Sequence, residues 1–153
     1  MDHANDLKTR PTYEKSATSY LAMLNEMRDA LSDLSPNLTW TVTAAREVDY
    51  GPCSPPYSDI RAAESGNFDS GFAKGGIADS VWPQAKQAVV NIAARHGFTT
   101  VTTLKDKPGD HMLVIHDQWG GSVELGSLQG TTLAVFGPCL LRAAPRPSPA
   151  ATT

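Results

Sequence analysis

Cysteines, aromatics and runs of like charge are all scarce in this chain, and each shortage excludes something. Of 153 residues, 7% are aromatic, two are cysteine and the formal net charge is -3. No apolar stretch approaches the roughly 18–20 residues a membrane-spanning helix needs. No basic run of five or more residues occurs, which argues against nucleic acid or an anionic membrane surface as the main partner. The first eleven residues, Met1 to Pro11, hold no apolar signal core, so the protein is either cytoplasmic or begins downstream of a removed leader. Catalytic templates are missing too. There is no Gly-x-Ser-x-Gly elbow, and Lys74-Gly75 lacks both the leading spacing and the hydroxyl of a phosphate loop. His111 and His116 are five apart on one predicted strand, so they face opposite sides and cannot share a metal. His96 closes a predicted helix, where a cation is favoured without any further role. His116 and Asp117 beside Trp119 could form a polar corner, but no nucleophile pairs with them. Asn37-Leu38-Thr39 matches a glycosylation acceptor, and its place at a helix-to-strand junction accounts for it equally well. No enzyme, metal or cofactor is expected.

What is present suits one globular domain. Apolar residues make up 41% and charged residues 19%, and folding at this size removes roughly 68–70% of the unfolded chain's surface. From Thr12 to Leu34, Ala17, Tyr20, Leu21, Leu24, Met27, Leu31 and Leu34 recur every three or four residues. That spacing is one face of an amphipathic helix, with Thr12 as N-cap and Ser35-Pro36 as its stop. Leu38, Trp40, Val42 and Ala44 alternate with threonines, which predicts a half-buried strand. Residues 49–57 read as a loop, a short strand is expected near 58–64, and 65–76 reads as a Gly-rich loop carrying Phe68 and Phe72. A second helix begins at Pro83 and buries Ala85, Ala88, Val89, Ile92 and Ala93, with Gly97 as its left-handed terminator. Four strands follow: Phe98–Leu104, His111–Asp117, Ser122–Leu128 and Thr131–Phe136. The order α-β-(β)-α-β-β-β-β predicts an α+β domain with a mostly antiparallel sheet of about five to six strands and two helices on one face. Domain bounds are expected at 12–142, between a flexible stub over 1–11 and a disordered Pro/Ala-rich tail over 143–153.

Cys53 and Cys139 both lie in Gly-Pro-Cys turns. Two readings stand: unrelated small buried residues, or a disulfide that ties the early loop to the end of the last strand. A metal site is disfavoured, because two thiols without Cys-x-x-Cys or a histidine pair fall short of four ligands. The even count and the rigid turn settings favour the disulfide.

The run from Gly76-Ile77-Ala78-Asp79-Ser80-Val81 through Ala94-Arg95-His96-Gly97-Phe98, and the strands ending in Gly137-Pro138-Cys139-Leu140-Leu141, resemble the LppA-like lipoproteins of mycobacteria. Met1-Asp2-His3, the first helix and Cys53 also fall where that family has similar features. The resemblance covers most of 12–141 as a diffuse pattern rather than one sharp motif. It implies an extracytoplasmic ectodomain held at the cell membrane by a lipid on an upstream cysteine, and it strengthens the Cys53–Cys139 pairing. It carries over no catalytic residues. The function expected is a non-enzymatic, monomeric binding module of the cell envelope, its contact surface drawn from Phe68, Phe72, Trp82 and Trp119. The alternatives are a lipid or glycolipid carrier, which needs a large apolar cavity, and last an envelope hydrolase.

Overall fold

The computed structural model describes residues 3–147. Its elements are α1 (His3–Lys8), α2 (Tyr13–Leu34), β1 (Thr39–Trp40), β2 (Arg46–Pro52), β3 (Ala63–Lys74), α3 (Trp82–Arg95), β4 (Thr100–Lys107), β5 (Asp110–His116), β6 (Ser122–Ser127), β7 (Gly130–Phe136) and β8 (Leu140–Leu141). The strands form one antiparallel sheet in the order β1-β3-β7-β6-β5-β4, and β2 and β8 also pair with β3. The α+β class and the one-sided helices are as the sequence predicts. The sheet has eight strands rather than five to six.

The long helix α2 forms where its periodicity puts it. Thr12 accepts a hydrogen bond from the Lys15 amide through its hydroxyl, and the Ser35 amide closes the last turn on the Leu31 carbonyl. These are the two ends where a helix leaves backbone groups without partners. Its buried stripe of Tyr20, Met23, Leu24, Met27 and Leu31 meets Phe68, Leu133 and Val135 of the sheet in one core. Trp82, Ala85, Val89 and Ile92 of α3 join that core. Gly97 ends α3 at φ +87°, a conformation open to glycine and strained for other residues. These side chains fill the space between the helices and the sheet.

The stretch expected to be a Gly-rich loop, 65–76, is the body of the central strand β3. Glycine there answers close approach rather than looseness. A Cβ on Gly66 would lie 2.0 Å from the Tyr13 hydroxyl oxygen, so only glycine lets α2 sit down on the strand. Around it Phe68, Ser70 and Ala73 are buried. The strand expected over 38–44 pairs only at Thr39 and Trp40. Beyond them the chain bends over the β3 bulge, where Gly71 has φ +73° and Val42 would meet any added Cβ at 2.6 Å. The loop expected over 49–57 begins instead as β2, a mostly exposed edge strand with no apolar face to betray it. Residues expected as a strand near 58–64 form turns until β3 starts at Ala63.

Both ends depart from expectation. Instead of a flexible stub, α1 buries Leu7 in a small second core with Cys53, Ala63 and Cys139. Arg10 then bonds to the Cys139 carbonyl at 3.0 Å and to the Tyr57 hydroxyl at 3.1 Å. The disulfide Cys53–Cys139 is formed, joining the end of β2 to the turn before β8. At the other end, the expected tail is bound to the domain as far as it is described. The Ala143 and Ala144 amides donate to the Glu14 carboxylate at 2.8 and 3.1 Å, and Arg146 pairs with Glu47 and Glu64. The rest of the expected tail, 148–153, lies outside the described residues, as do Met1 and Asp2.

Candidate functional site

Helices cover one face of the sheet, and the other face is open. Register across the strands sets its outward residues in rows. One row runs Arg46, Asp69, Ala134, Glu124, Val114 and Thr102. The row on one side of it holds Phe72, Thr132, Gly126 and Met112, and the row on the other holds Asn67, Phe136, Ser122 and His116. Phe72 and Phe136 are 46% and 43% exposed, large values for phenylalanine on a sheet. They stand over a floor of small side chains. The resulting cleft has a volume of about 460 Å³ and is lined by Arg46, Asp69, Phe72, Glu124, Ala134 and Phe136 among others. Arg46 and Asp69 pair across it at 3.5 Å. Glu124 is half-buried in its floor, and its carboxylate makes no hydrogen bond or ion pair with a described residue. The cleft therefore offers two aromatic walls, a neutralised ion pair and one carboxylate available to a ligand.

Of the four residues expected to form a contact surface, the structure does not bring all onto one face. Phe68 is core, 1% exposed, with its ring 6.2 Å from Tyr13 and 5.4 Å from Tyr20. Trp82 is buried where α3 begins and stacks on His111 at 4.5 Å. Trp119 is half-buried in the turn between β5 and β6, and the Asp117 carboxylate accepts from the Trp119 and Gly121 amides. That is the polar corner anticipated at 116–119, and it serves to close the hairpin. Only Phe72 reaches the open face. Strict alternation would have sent Phe68 and Phe72 to the same side, and the bulge at Gly71 turns Phe72 over. The residues missed are Phe136, Glu124 and Arg46. Phe136 was detectable, since it alternates with the buried Leu133 and Val135; Arg46 was hidden by the unrecognised β2.

His111 is the most buried of the described histidines. Its Nδ1 lies 2.9 Å from Asp106 and its Nε2 lies 2.8 Å from Asp79, with the Trp82 ring against its face. Both ring nitrogens thus have a carboxylate partner. Among the described residues no group of three or more His, Cys, Asp and Glu side chains could hold a metal ion. The other titrating features are structural. Tyr20 is pushed up to about 12 by burial and by the Asp117 charge. The Gly109 amide and His111 hold the Asp79 carboxyl below its ordinary range. Burial works to raise Glu14 and Glu47. The Ala143 and Ala144 amides outweigh it for Glu14, and Arg146 and the Tyr13 hydroxyl outweigh it for Glu47, so both also titrate low.

Those three depressions predict the acid behaviour. A carboxyl that titrates lower in the folded chain than in the unfolded one stabilises the fold above its unfolded pKa. The contribution is lost as pH falls through the folded value. The urea midpoint is expected to hold level from about pH 7 to 5 and to fall below about pH 4, where ordinary carboxyls titrate. Glu47→Gln is expected to shallow that fall when midpoints are measured across the same range.

An α+β domain with one open sheet face and a disulfide between distant segments falls in the class of small disulfide-bonded domains. More narrowly, this chain belongs to the LppA family, described as a lipoprotein confined to pathogenic Mycobacterium, whose model matches residues 1–143. In structure it is similar to LppA of Mycobacterium tuberculosis, a protein assigned as a lipoprotein and solved by crystallography. The TM-score is 0.60 at 18% identity, over 94% of this chain and 90% of that one. At that identity the likeness establishes the shared fold. No curated protein matches the sequence. Among the described residues no helix is long and apolar enough to cross a membrane.

Proposed function

We propose that this domain is the extracytoplasmic part of a membrane-anchored lipoprotein, and that it is a non-enzymatic, monomeric module which binds its partner on the open face of the sheet. The observation that carries the reading is the pair Phe72 and Phe136 on that face. A sheet with one packed and one solvated face ordinarily keeps its outward positions polar. Two half-exposed aromatic rings around a floor of small residues depart from that rule in the way recognition surfaces do. Membership of a lipoprotein family and the disulfide support the compartment. Attachment to the membrane is by a lipid on an upstream cysteine rather than by this domain.

A lipid or glycolipid carrier is the second reading, and it needs an enclosed apolar cavity. The space between helices and sheet is occupied by Met23, Leu24, Met27, Leu31 and Phe68, all essentially inaccessible to solvent. That packing favours binding on the outer face.

The test replaces Phe72, Phe136 or the exposed Lys15 of α2, one at a time, with a photo-crosslinking phenylalanine analogue. Each protein is irradiated with a mycobacterial envelope fraction. A discrete adduct is expected from positions 72 and 136 and not from 15, and Glu124→Arg in the cleft floor is expected to suppress it. Equal labelling at all three positions would overturn the assignment of the open face.

A further inference from the structure

On the helix-covered side of the sheet, away from Phe72 and Phe136, one guanidinium group is held with unusual completeness. Arg146 donates from Nε to Glu64 at 2.8 Å, and from Nη1 and Nη2 to the two oxygens of Glu47 at 3.3 and 2.9 Å. The second pair is the bidentate fork that distinguishes arginine–carboxylate recognition from a simple charge contact. The group also stacks on the Tyr50 ring, 3.2 Å from its centroid, and lies 5.1 Å from that of Tyr13. Cations over aromatic faces gain from the ring quadrupole, more so where water is displaced. Two carboxylates in plane and two rings around them make a slot shaped for a planar cation.

The slot and its occupant come from different parts of the molecule. Tyr13 opens α2, Glu47 and Tyr50 lie on β2, and Glu64 lies on β3. The Tyr13 hydroxyl donates to Glu47 and fixes one wall. Gly66, directly beneath that hydroxyl, lets the ring reach its place. Arg146 belongs to none of these elements. It follows the last strand on a short segment without secondary structure, between Pro145 and Pro147. Along this segment, the backbone bonds to the domain are the Arg142 amide on the Ala62 carbonyl and the Ala143 and Ala144 amides on Glu14. A cleft of about 560 Å³ separates the segment, which forms one wall from Arg142 to Arg146, from Arg61, Ala62 and Glu64 on the other.

We propose that Tyr13, Glu47, Tyr50 and Glu64 form a guanidinium-binding site, that Arg146 occupies it in cis, and that an arginine in a proline-flanked segment of another protein binds there by displacing it. The proline-flanked setting follows from the occupant itself. Prolines hold a peptide extended before it binds and so reduce the ordering cost. Arginine is preferred over lysine because an ammonium cannot make the fork to Glu47 together with the bond to Glu64. A tethered occupant competes at an effective concentration in roughly the millimolar range, so the site is self-masked until a ligand outcompetes it.

The test uses the whole chain and a blocked peptide, Ala-Ala-Pro-Arg-Pro-Ser, which repeats residues 143–148. By calorimetry, Arg146→Ala is expected to bind the peptide at least tenfold more tightly than the wild type. Adding Glu47→Gln is expected to cost at least tenfold, and so is lysine in place of the peptide arginine. The proposal is overturned if Arg146→Ala does not bind, binds no better than wild type, or binds equally well with Glu47→Gln. Should Arg146→Ala fail to fold, the Arg146 Nε–H resonance of the wild type decides. Millimolar peptide is expected to move it to the position of a solvated arginine, and an unmoved resonance overturns the proposal.

Discussion

Replacing Cys53 and Cys139 together with serine is expected to lower stability by about 4–5 kcal/mol, the chain-entropy value for a loop of this size. The bridge spans 86 residues, from the end of β2 to the turn before β8. Without it the unfolded chain regains the freedom that the closed loop denies it. The small core of Leu7, Cys53, Ala63 and Cys139 adds a local effect. It is separate from the main core, and only Tyr57, Ile60 and Leu141 pack against it besides its own members. For a chain of this length, 1 kcal/mol moves the melting temperature by roughly 2–4 °C, so a drop on the order of 10–20 °C is expected. Calorimetry of the double serine variant measures it, and dithiothreitol treatment of the wild type should reproduce it. A drop of only a few degrees would show that the packing around Arg10 and Tyr57 holds the segment without the covalent link.

Phe68→Ala is expected to destabilise the domain by about 3–5 kcal/mol, the range for a buried phenylalanine cut to alanine. Its ring is where α2 and β3 meet, between Tyr13 and Tyr20, and the cavity left would sit against a helix that cannot close on it without moving. Phe72→Ala, four residues along the same strand, is expected to change stability by no more than about 0.5 kcal/mol, as for an exposed position. Urea denaturation of the two variants separates a core ring from a surface ring directly. Equal losses would contradict the turnover of the strand at Gly71.

That pair of residues also shows where sequence reasoning stops. The α2 and α3 helices were legible because long periodic stripes and end signals are local. So were β4 to β7, cut at Lys107-Pro108-Gly109-Asp110, Gly120-Gly121 and Gln129-Gly130. The central strand β3 was not. Its inward positions include Gly66 and Ser70, which carry no hydrophobic signal and are buried because Tyr13 and the backbone of α2 come down on them. The edge strand β2 was hidden for the opposite reason, since a strand with little buried surface needs no apolar pattern. Helix α1 has a single buried residue, Leu7, whose partners come from 46 or more positions away.

For the candidate site the division is similar. Phe72 was identified from its setting among glycines, but its companions were not, because Phe68 and Trp82 are equally aromatic and both buried. The alternation that turns Phe136 outward was present in 130–136, and only the register of β7 against β3 and β6 places it across the floor from Phe72. The slot around Arg146 left no local mark at all. Its parts are spread along the chain from Tyr13 to Arg146, and the paired Glu47 and Arg146 are 99 positions apart.

By itself the sequence determined the α+β class, the two main helices, the β4–β7 meander and the two cysteines' turn settings. Periodicity, end signals and turn residues act over a few positions, and those features depend on nothing farther away. Only the tertiary structure decided which aromatics are surface, which glycines are strand, how the chain ends are held, and that Arg146 lies between two tyrosines and two glutamates. Those outcomes turn on which distant backbone comes within contact distance, which local pattern does not encode.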